Sequence, residues 1–212
     1  MKKEFSACPS ALQGKEQYGF SWMEHVLAIP SPLVLVTTYK NNGKPNATLQ
    51  SWSAFVGEEG FYCIFGSVNR HGHMYSSIKE TNNLVINFPS ADIYKKCLKT
   101  IENNRFEDDE ITKSGLTAEK AATVNAPRIR ECFLNLECEF LWEKKIIPNA
   151  FHSVMCAKVL GICMDEEHFK ANGRYGESGY LYNIHSPANP ETGEKEVTSL
   201  GIIQKYKTYE EL

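Results

Sequence analysis

The sequence predicts a single, mainly β domain: a barrel with a few helices inserted between its strands. Three observations carry this expectation. Short apolar, β-branched runs recur at hairpin spacing. Turn signals separate them, first at Asn42-Gly43 and then from Gly57 to Gly60. No glycine-rich fingerprint follows the first strand, which removes a doubly wound dinucleotide-binding sheet.

The elements follow in order. Ser21 is a good N-cap for a helix over residues 21–29, which Pro30 and Pro32 stop. Residues 33–39, LVLVTTY, are apolar on both faces and predict an interior strand. Asn42 and Gly43 both tolerate positive φ, and their turn sends the chain back along ATLQSWSAF. A turn at residues 57–60 leads into FYCIFGS, so these three strands are expected to form an antiparallel meander. HMYSSIKE predicts a helix with Met74 and Ile78 on one face. Residues 84–88 predict a strand ended by Pro89, and residues 92–101 a helix. Residues 102–115 read as a long charged loop, and residues 116–124 as a short helix capped by Thr117. In LECEFLW, Leu136, Cys138, Phe140 and Trp142 alternate with Glu137, Glu139 and Leu141, the pattern of a strand half exposed to water. Residues 152–164 predict a longer, more buried strand, and residues 179–184 a turn into a short one. Ser186 to Glu196 is a Pro-, Gly- and Glu-rich loop, and the tail beyond it packs on the domain or on a second subunit. The barrel core is expected over about residues 28–165, with an extension over 166–212.

Composition narrows the class. The 212 residues are 42% hydrophobic and 11% aromatic, which supports a substantial core. A net charge of −3 argues against nucleic acid as the main partner, because phosphate backbones need clustered cations. The seven cysteines, Cys8, Cys63, Cys97, Cys132, Cys138, Cys156 and Cys163, are odd in number and include no C-x-x-C pair. Cys63, Cys138, Cys156 and Cys163 sit in apolar runs, where buried thiols act as small hydrophobes. A cytoplasmic, reducing location is expected. No run of about 20 apolar residues predicts a membrane span. Lys2 and Lys3 precede no apolar segment of the kind a secretion signal carries. Asn46-Ala47-Thr48 fits the glycosylation pattern, which matters only in a secreted protein.

Two stretches carry candidate chemistry. GSVNRHGHMYSSIKETNNLVINFPS, residues 66–90, sets Arg70, His71 and His73 between apolar runs. A metal is disfavoured, because a catalytic zinc needs about three protein ligands and no acidic cluster adjoins these histidines. A phosphate suits the order strand, loop, helix start. Unpaired N–H groups and the positive helix end face the loop, Arg70 adds charge, Gly72 lets the backbone approach, and Ser67 adds a hydroxyl. An ordinary helix start with an exposed arginine suits it too. The second stretch, NATLQSWSA (46–54), gathers polar side chains beside a tryptophan, which fits a flat heterocycle or a solvated edge strand. No G-x-S-x-G elbow is present, and Ser153 beside His152 makes no catalytic triad by adjacency.

Taken together, the chain resembles the flavin reductase-like, FMN-binding split-barrel family in its flavoredoxin-like branch. Four fragments carry the resemblance in order: PSPLVLVTTYKNNGKPNATLQSW, NRHGHMYSSIKETNNLVINFPS, SGLTAEKAATVNAPRIRECFLNLECEF and FHSVMCAKVLGI. The resemblance implies a six-stranded Greek-key split barrel that holds FMN without a covalent bond at a homodimer interface. It implies that Thr48, Leu49, Gln50, Ser51 and Trp52 face the isoalloxazine. It gives the phosphate to the loop of Ser67, Val68, Asn69, Arg70, His73 and Met74. Asn87, Pro89 and Ser90 are expected to close the site, and Lys113, Ser114 and Gly115 to approach the ring. His152 matches a histidine common near the flavin and is the candidate catalytic group.

Two positions depart from the family pattern. Met74 stands where relatives often carry Thr, so a phosphate hydroxyl contact is lost. Glu110 stands where relatives often carry Lys, which removes a cation from beside the reduced ring; Lys113 or Arg70 are the candidates to replace it. Arg70 is then expected to meet the phosphate, while His71 and His73 shape its loop. The expected function is an FMN-dependent oxidoreductase passing electrons from NADH or NADPH to a small-molecule or protein acceptor. The alternatives are an electron carrier without its own nicotinamide site, and a dimeric module that holds flavin without turnover. Neither a nucleic acid nor a membrane partner is expected.

Overall fold

The computed structural model describes residues 2–15, 20–170 and 173–211. Helix α1 spans Trp22–Leu27. Ser21 caps it in a full capping box with Glu24, and Ala28 ends it in the left-handed conformation. Strands β1 (Ser31–Pro32), β2 (Val34–Tyr39), β3 (Pro45–Gln50), β4 (Ser53–Gly57) and β5 (Phe61–Asn69) follow. Then come α2 (His73–Thr81), β6 (Asn83–Phe88), α3 (Tyr94–Glu102) and α4 (Glu110–Lys113). Strands β7 (Ala118–Lys120), β8 (Pro127–Ile129), β9 (Leu134–Lys144), β10 (His152–Met164), β11 (Tyr180–Asn183) and β12 (Leu200–Ile203) complete the order.

Seven strands form the main antiparallel sheet, in the order β3-β2-β6-β9-β10-β5-β4. Its two edge strands are consecutive in sequence, so the sheet curls until its edges meet at Ser51 and Trp52. This is the split barrel. The six strands expected become seven because ATLQSWSAF does not run through as one strand. Trp52 takes a left-handed φ of 57°, its N–H donates to Ser31 Oγ at 2.7 Å, and its carbonyl accepts from Gly66 N at 2.6 Å. The chain therefore turns off β2 and onto β5, and the expected meander is two hairpins at opposite edges of the sheet. Gly66 has a reason to be glycine, since a Cβ there would stand 3.0 Å from the Trp52 carbonyl oxygen.

Strand β2 is buried on both faces, as its sequence predicts. Val34 and Val36 pack with Phe65, Ile86, Leu136 and Met155 inside the curl. Leu35, on the other face, packs with Ala47, Ile93, Cys97 and Ile111 beneath α3 and α4. Removing both faces from water is what ties the helices to the barrel. Burial pushes the Cys97 thiol up to about 12 and raises Cys63 and Cys138 as well, so these thiols serve as core. Cys163, expected with them, is only half-buried. Of the β2–β3 turn, only Gly43 has positive φ; Asn42 instead uses its side chain, accepting from Lys44 N and donating to Phe106 O. The tail packs on its own domain, with β12 pairing β11 and β11 pairing β1.

Three further expectations are corrected. Residues 102–115 are not all loop: Asp109 caps α4 by accepting from Thr112 N. Residues 116–124 form no helix. Thr117 gives both its N–H and its hydroxyl to Glu131, and Ala118–Lys120 pairs with Pro127–Ile129. The N–H groups of Ala122 and Thr123, which a helix would turn back on itself, point instead at Glu137. Glu137 is accordingly not on a wet face. It is 2% exposed and takes further contacts from Thr123 Oγ1 at 2.6 Å and Arg128 at 3.7 Å.

Burial works to raise the Glu137 carboxyl, but the Thr123 and Ala122 donors and Arg128 hold it below the usual carboxylate range. A depressed native carboxylate adds stability above its unfolded titration range, and that stability disappears as pH falls through the native value. Glu137→Gln is therefore expected to lose about 1.5–3 kcal/mol near neutral pH, the range for hydrogen bonds to a charged group. Denaturant melts should show the gap to wild type closing as pH falls toward 3; a constant gap would contradict this role.

Candidate functional site

The stretch NATLQSW lies along the split, and the period of a strand sends its residues to two sides. Thr48 and Gln50 pair with Val36 and Val34, which face the interior. Gln50 Nε2 donates to Ser67 O at 3.0 Å and ties β3 to β5 across the gap. Leu49 and Ser51 look the other way. They line a groove of about 270 Å³ with Leu33, Tyr94, Leu98 and Leu200. Trp52 stacks on His185 at 3.8 Å, and Phe20 lies 5.9 Å from Trp52 and 5.4 Å from His152, so a row of rings follows the rim. His152 opposes Asn69 across the sheet, which sets it beside the Arg70 loop. Burial depresses His152 below the ordinary imidazole range, against the pull of Glu24.

The second part is the loop before α2. Asn69 organises it: its side chain accepts from His71 N and its carbonyl from Gly72 N. Gly72 sits at the N-cap, so no side chain caps the nine residues of α2. Arg70 leans over β9, with Nη1 3.5 Å from Ala150 O and Nε 3.7 Å from Glu143 Oε1. Among the described residues its Nη2 has no partner. Val68 and Met74 lie in the barrel core, so neither side chain is available to a ligand. Asn87 is also corrected: it is fully buried, and its amide is used up on Leu35 O, Thr37, Val85 O, Ile129 N and Asn135. It ties strands together and closes no site. Ser90 faces a separate cavity of about 810 Å³ with Asp92, Glu131 and His168, and Pro89 is buried.

The third part is α4. Lys113 pairs with Asp108, Ser114 is buried and bonded to Glu110 O, and Gly115 ends the helix at φ 74°. The unexpected member is Lys40, which reads in sequence as an exposed turn lysine. Its Nζ is buried, donating to Asp108 O at 2.6 Å and to Glu110 Oε1 at 2.9 Å. The two side chains are 1% and 0% exposed. Glu110 in turn lies 3.8 Å from His73 Nδ1. A lysine from just beyond the end of β2 thus stands beside Glu110, already paired with it. Burial still lifts the Glu110 carboxyl above its usual range, against its Lys40 bond.

The residues fit an FMN at both ends. At the loop, Arg70 Nη2 and the uncapped start of α2 supply donors for a phosphate. At the groove, Leu33, Leu49 and Leu98 supply an apolar wall and Ser51 a polar edge for a flat ring. Elsewhere on β2, β3, α2 and α4, Thr38 Oγ1, Asn46 Oδ1, His73 Nδ1 and Glu110 Oε2 are buried and have no hydrogen-bond partner among the described residues. Such atoms cost free energy unless something meets them. No group of three metal-ligating side chains occurs among the described residues, and no helix there is long and apolar enough to cross a membrane.

Lys40→Met strands the buried Glu110 charge and is expected to cost about 3–5 kcal/mol. Adding Glu110→Leu should recover most of that loss in urea melts, because replacing a whole buried pair is far milder than breaking it. Losses that simply add would show the two side chains to be uncoupled.

Comparison with known proteins agrees with this architecture. An uncharacterised protein of Aquifex aeolicus (strain VF5) is 28% identical over 170 residues, covering 73% of this chain and 85% of that one. The flavoredoxin of Desulfovibrio vulgaris (Miyazaki F) superposes with a TM-score of 0.70 at 18% identity, covering 98% of this chain and 96% of that one. Nitrilotriacetate monooxygenase component B from Bacillus cereus gives a TM-score of 0.76 at 13% identity, covering 98% and 100%. At these identities the two structures speak for the fold alone. The family described as "Flavin reductase like domain" matches residues 26–182, and on that span the chain belongs to the flavin reductase-like family.

Proposed function

We propose that this protein binds FMN and passes electrons through it from NADH or NADPH to an acceptor. The observation that carries the reading is the meeting of an unpartnered guanidinium edge with an uncapped helix start, in a fold that also holds a groove of about 270 Å³ beside β3. Bound FMN would supply the redox chemistry. The chain's share is placement. Arg70 and the first N–H groups of α2 hold the phosphate, with Ser67 and Asn69 shaping the approach. Leu49, Ser51 and Trp52 back the ring. His152 stands at the rim as the candidate proton-handling group, its burial favouring the neutral form.

The Lys40–Glu110 pair favours a second reading, an electron carrier with no nicotinamide site of its own. With Lys40 satisfied by Glu110, no unpaired lysine stands at that position to stabilise an anionic reduced ring. Under either reading we place the protein in the cytoplasm as a homodimer. Leu27, Ile29 and Ile101, each about 60% exposed, are apolar surface suited to a second copy.

Purified protein is expected to show the two-banded visible absorption of a flavin and to oxidise NADH or NADPH when loaded with FMN. Flavin binding with neither oxidation, but reduction by a protein donor, selects the carrier. Protein that takes up no FMN overturns both. Arg70→Ala should weaken FMN binding by about 1.5–3 kcal/mol, the range for a charged hydrogen bond, and leave riboflavin binding in place. Equal losses for both flavins in fluorescence titrations would reject the phosphate contact.

A further inference from the structure

We propose that Glu143 is the residue that aims Arg70, and that it thereby sets the preference for a phosphorylated over an unphosphorylated flavin. This rests on the FMN reading above. Glu143 is held by three side chains from two elements, α2 and β10. The Tyr75 hydroxyl, from α2, lies 3.0 Å from both carboxylate oxygens. Ser153 Oγ, from β10, donates to Oε1 at 2.6 Å. Lys79 Nζ, one helical turn beyond Tyr75, stands 3.3 Å from Oε2. Burial acts to raise this carboxyl, but the Ser153, Tyr75 and Lys79 contacts hold it below its usual range, so it is a fixed negative charge at neutral pH.

Its remaining contact is with Arg70. Nε lies 3.7 Å from Oε1, too long for a hydrogen bond and close enough for ionic attraction. The guanidinium carbon sits 5.9 Å from the centre of the Tyr75 ring, and Nη1 reaches Ala150 O at 3.5 Å. The guanidinium is thus held on its Nε edge by charge, on one face by an aromatic ring and at Nη1 by a carbonyl. A bidentate fork onto Glu143 would occupy both terminal nitrogens. The looser arrangement leaves Nη2 to an incoming anion and removes most of the rotamer freedom that a long side chain otherwise loses on binding. Glu143 touches no ligand in this account; it is a positioning residue that acts through Arg70.

The test is a double-mutant cycle on the full chain stripped of flavin, titrated with FMN and with riboflavin by fluorescence. Glu143→Gln keeps acceptors for Tyr75 and Ser153 but drops the charge. It should lower the FMN-to-riboflavin affinity ratio about tenfold, within the range for coupled neighbours, with riboflavin affinity unchanged. In an Arg70→Ala background the same substitution should leave the ratio unchanged. Tyr75→Phe, which loosens Glu143 without touching its charge, should lower the ratio in the same direction by less. A ratio that rises in Glu143→Gln would make Glu143 a competitor of the phosphate and overturn the proposal. So would a fall of equal size in the Arg70→Ala background. Wild-type protein that binds riboflavin and FMN equally overturns the Arg70 contact and this proposal while leaving the flavin site standing. Binding of neither flavin overturns the functional reading itself.

Discussion

One backbone event organises the molecule: the left-handed turn at Trp52, pinned on its N–H by Ser31 and on its carbonyl by Gly66. A tryptophan in that conformation is costly by itself, on the order of 1–3 kcal/mol for a sparsely populated backbone state. It persists because the two hydrogen bonds and the stack on His185 over-determine it. Without the turn, β3 would continue onto its own hairpin partner and the sheet would stay open. With it, the chain leaves one edge of the sheet and begins the other. The same turn marks the place where Gln50 crosses to Ser67, Ser51 meets Asn183 and Trp52 lies against His185. The seam of the barrel and the candidate site are therefore the same piece of chain.

The site inherits the two-sidedness of strand β3. Its interior side leads toward α2 and the Lys40–Glu110–His73 group, while its outer side opens on the groove under the tail. A ligand that uses both must pass over the end of the strand, at Ser51 and Trp52, where the ladder is interrupted and no neighbouring strand blocks the way. A molecule with a flat head, a polar chain and an anionic end has the right sequence of chemistry for that path. The buried, partnerless oxygens of Thr38 and Asn46 and the unmet edge of His73 stand along the interior side. The charges there are arranged in closed pairs, Lys40 with Glu110 and Lys113 with Asp108, so the local field falls mainly to Arg70 and the helix start.

Much of this was legible in the residues. The run LVLVTTY announced a strand buried on both faces, and Ser21 with Pro30 bracketed the first helix. Residues 152–164 gave the long strand with its observed bounds. What periodicity missed was decided by single long-range partners. Residues 116–124 have a helix-like pattern, but Glu137 and Glu131, far along the chain, take the N–H groups that helix would need. Glu137 itself reads in sequence as part of the water-facing side of its strand. Asn87 was expected at the site only through the family resemblance; its partners are backbone and side-chain groups of neighbouring segments, which no local pattern reveals. Lys40 and Glu143 sat at strand ends beside turns, where charge is ordinary, and only the fold shows one buried and the other braced. Arg70 stood out as a candidate because its signal is local: a glycine, a helix start and a guanidinium within four residues.

The central claim is that the phosphate of FMN meets Arg70 Nη2 and the first N–H groups of α2 while its ring lies against Leu49, Ser51 and Trp52. Diffraction from crystals grown with saturating FMN tests this most directly. The account predicts continuous ligand density over the end of β3, with phosphate oxygens at hydrogen-bond distance from Arg70 and from the α2 amides. FMN bound elsewhere, or an Arg70 loop and groove left without ligand at saturating concentration, would contradict it.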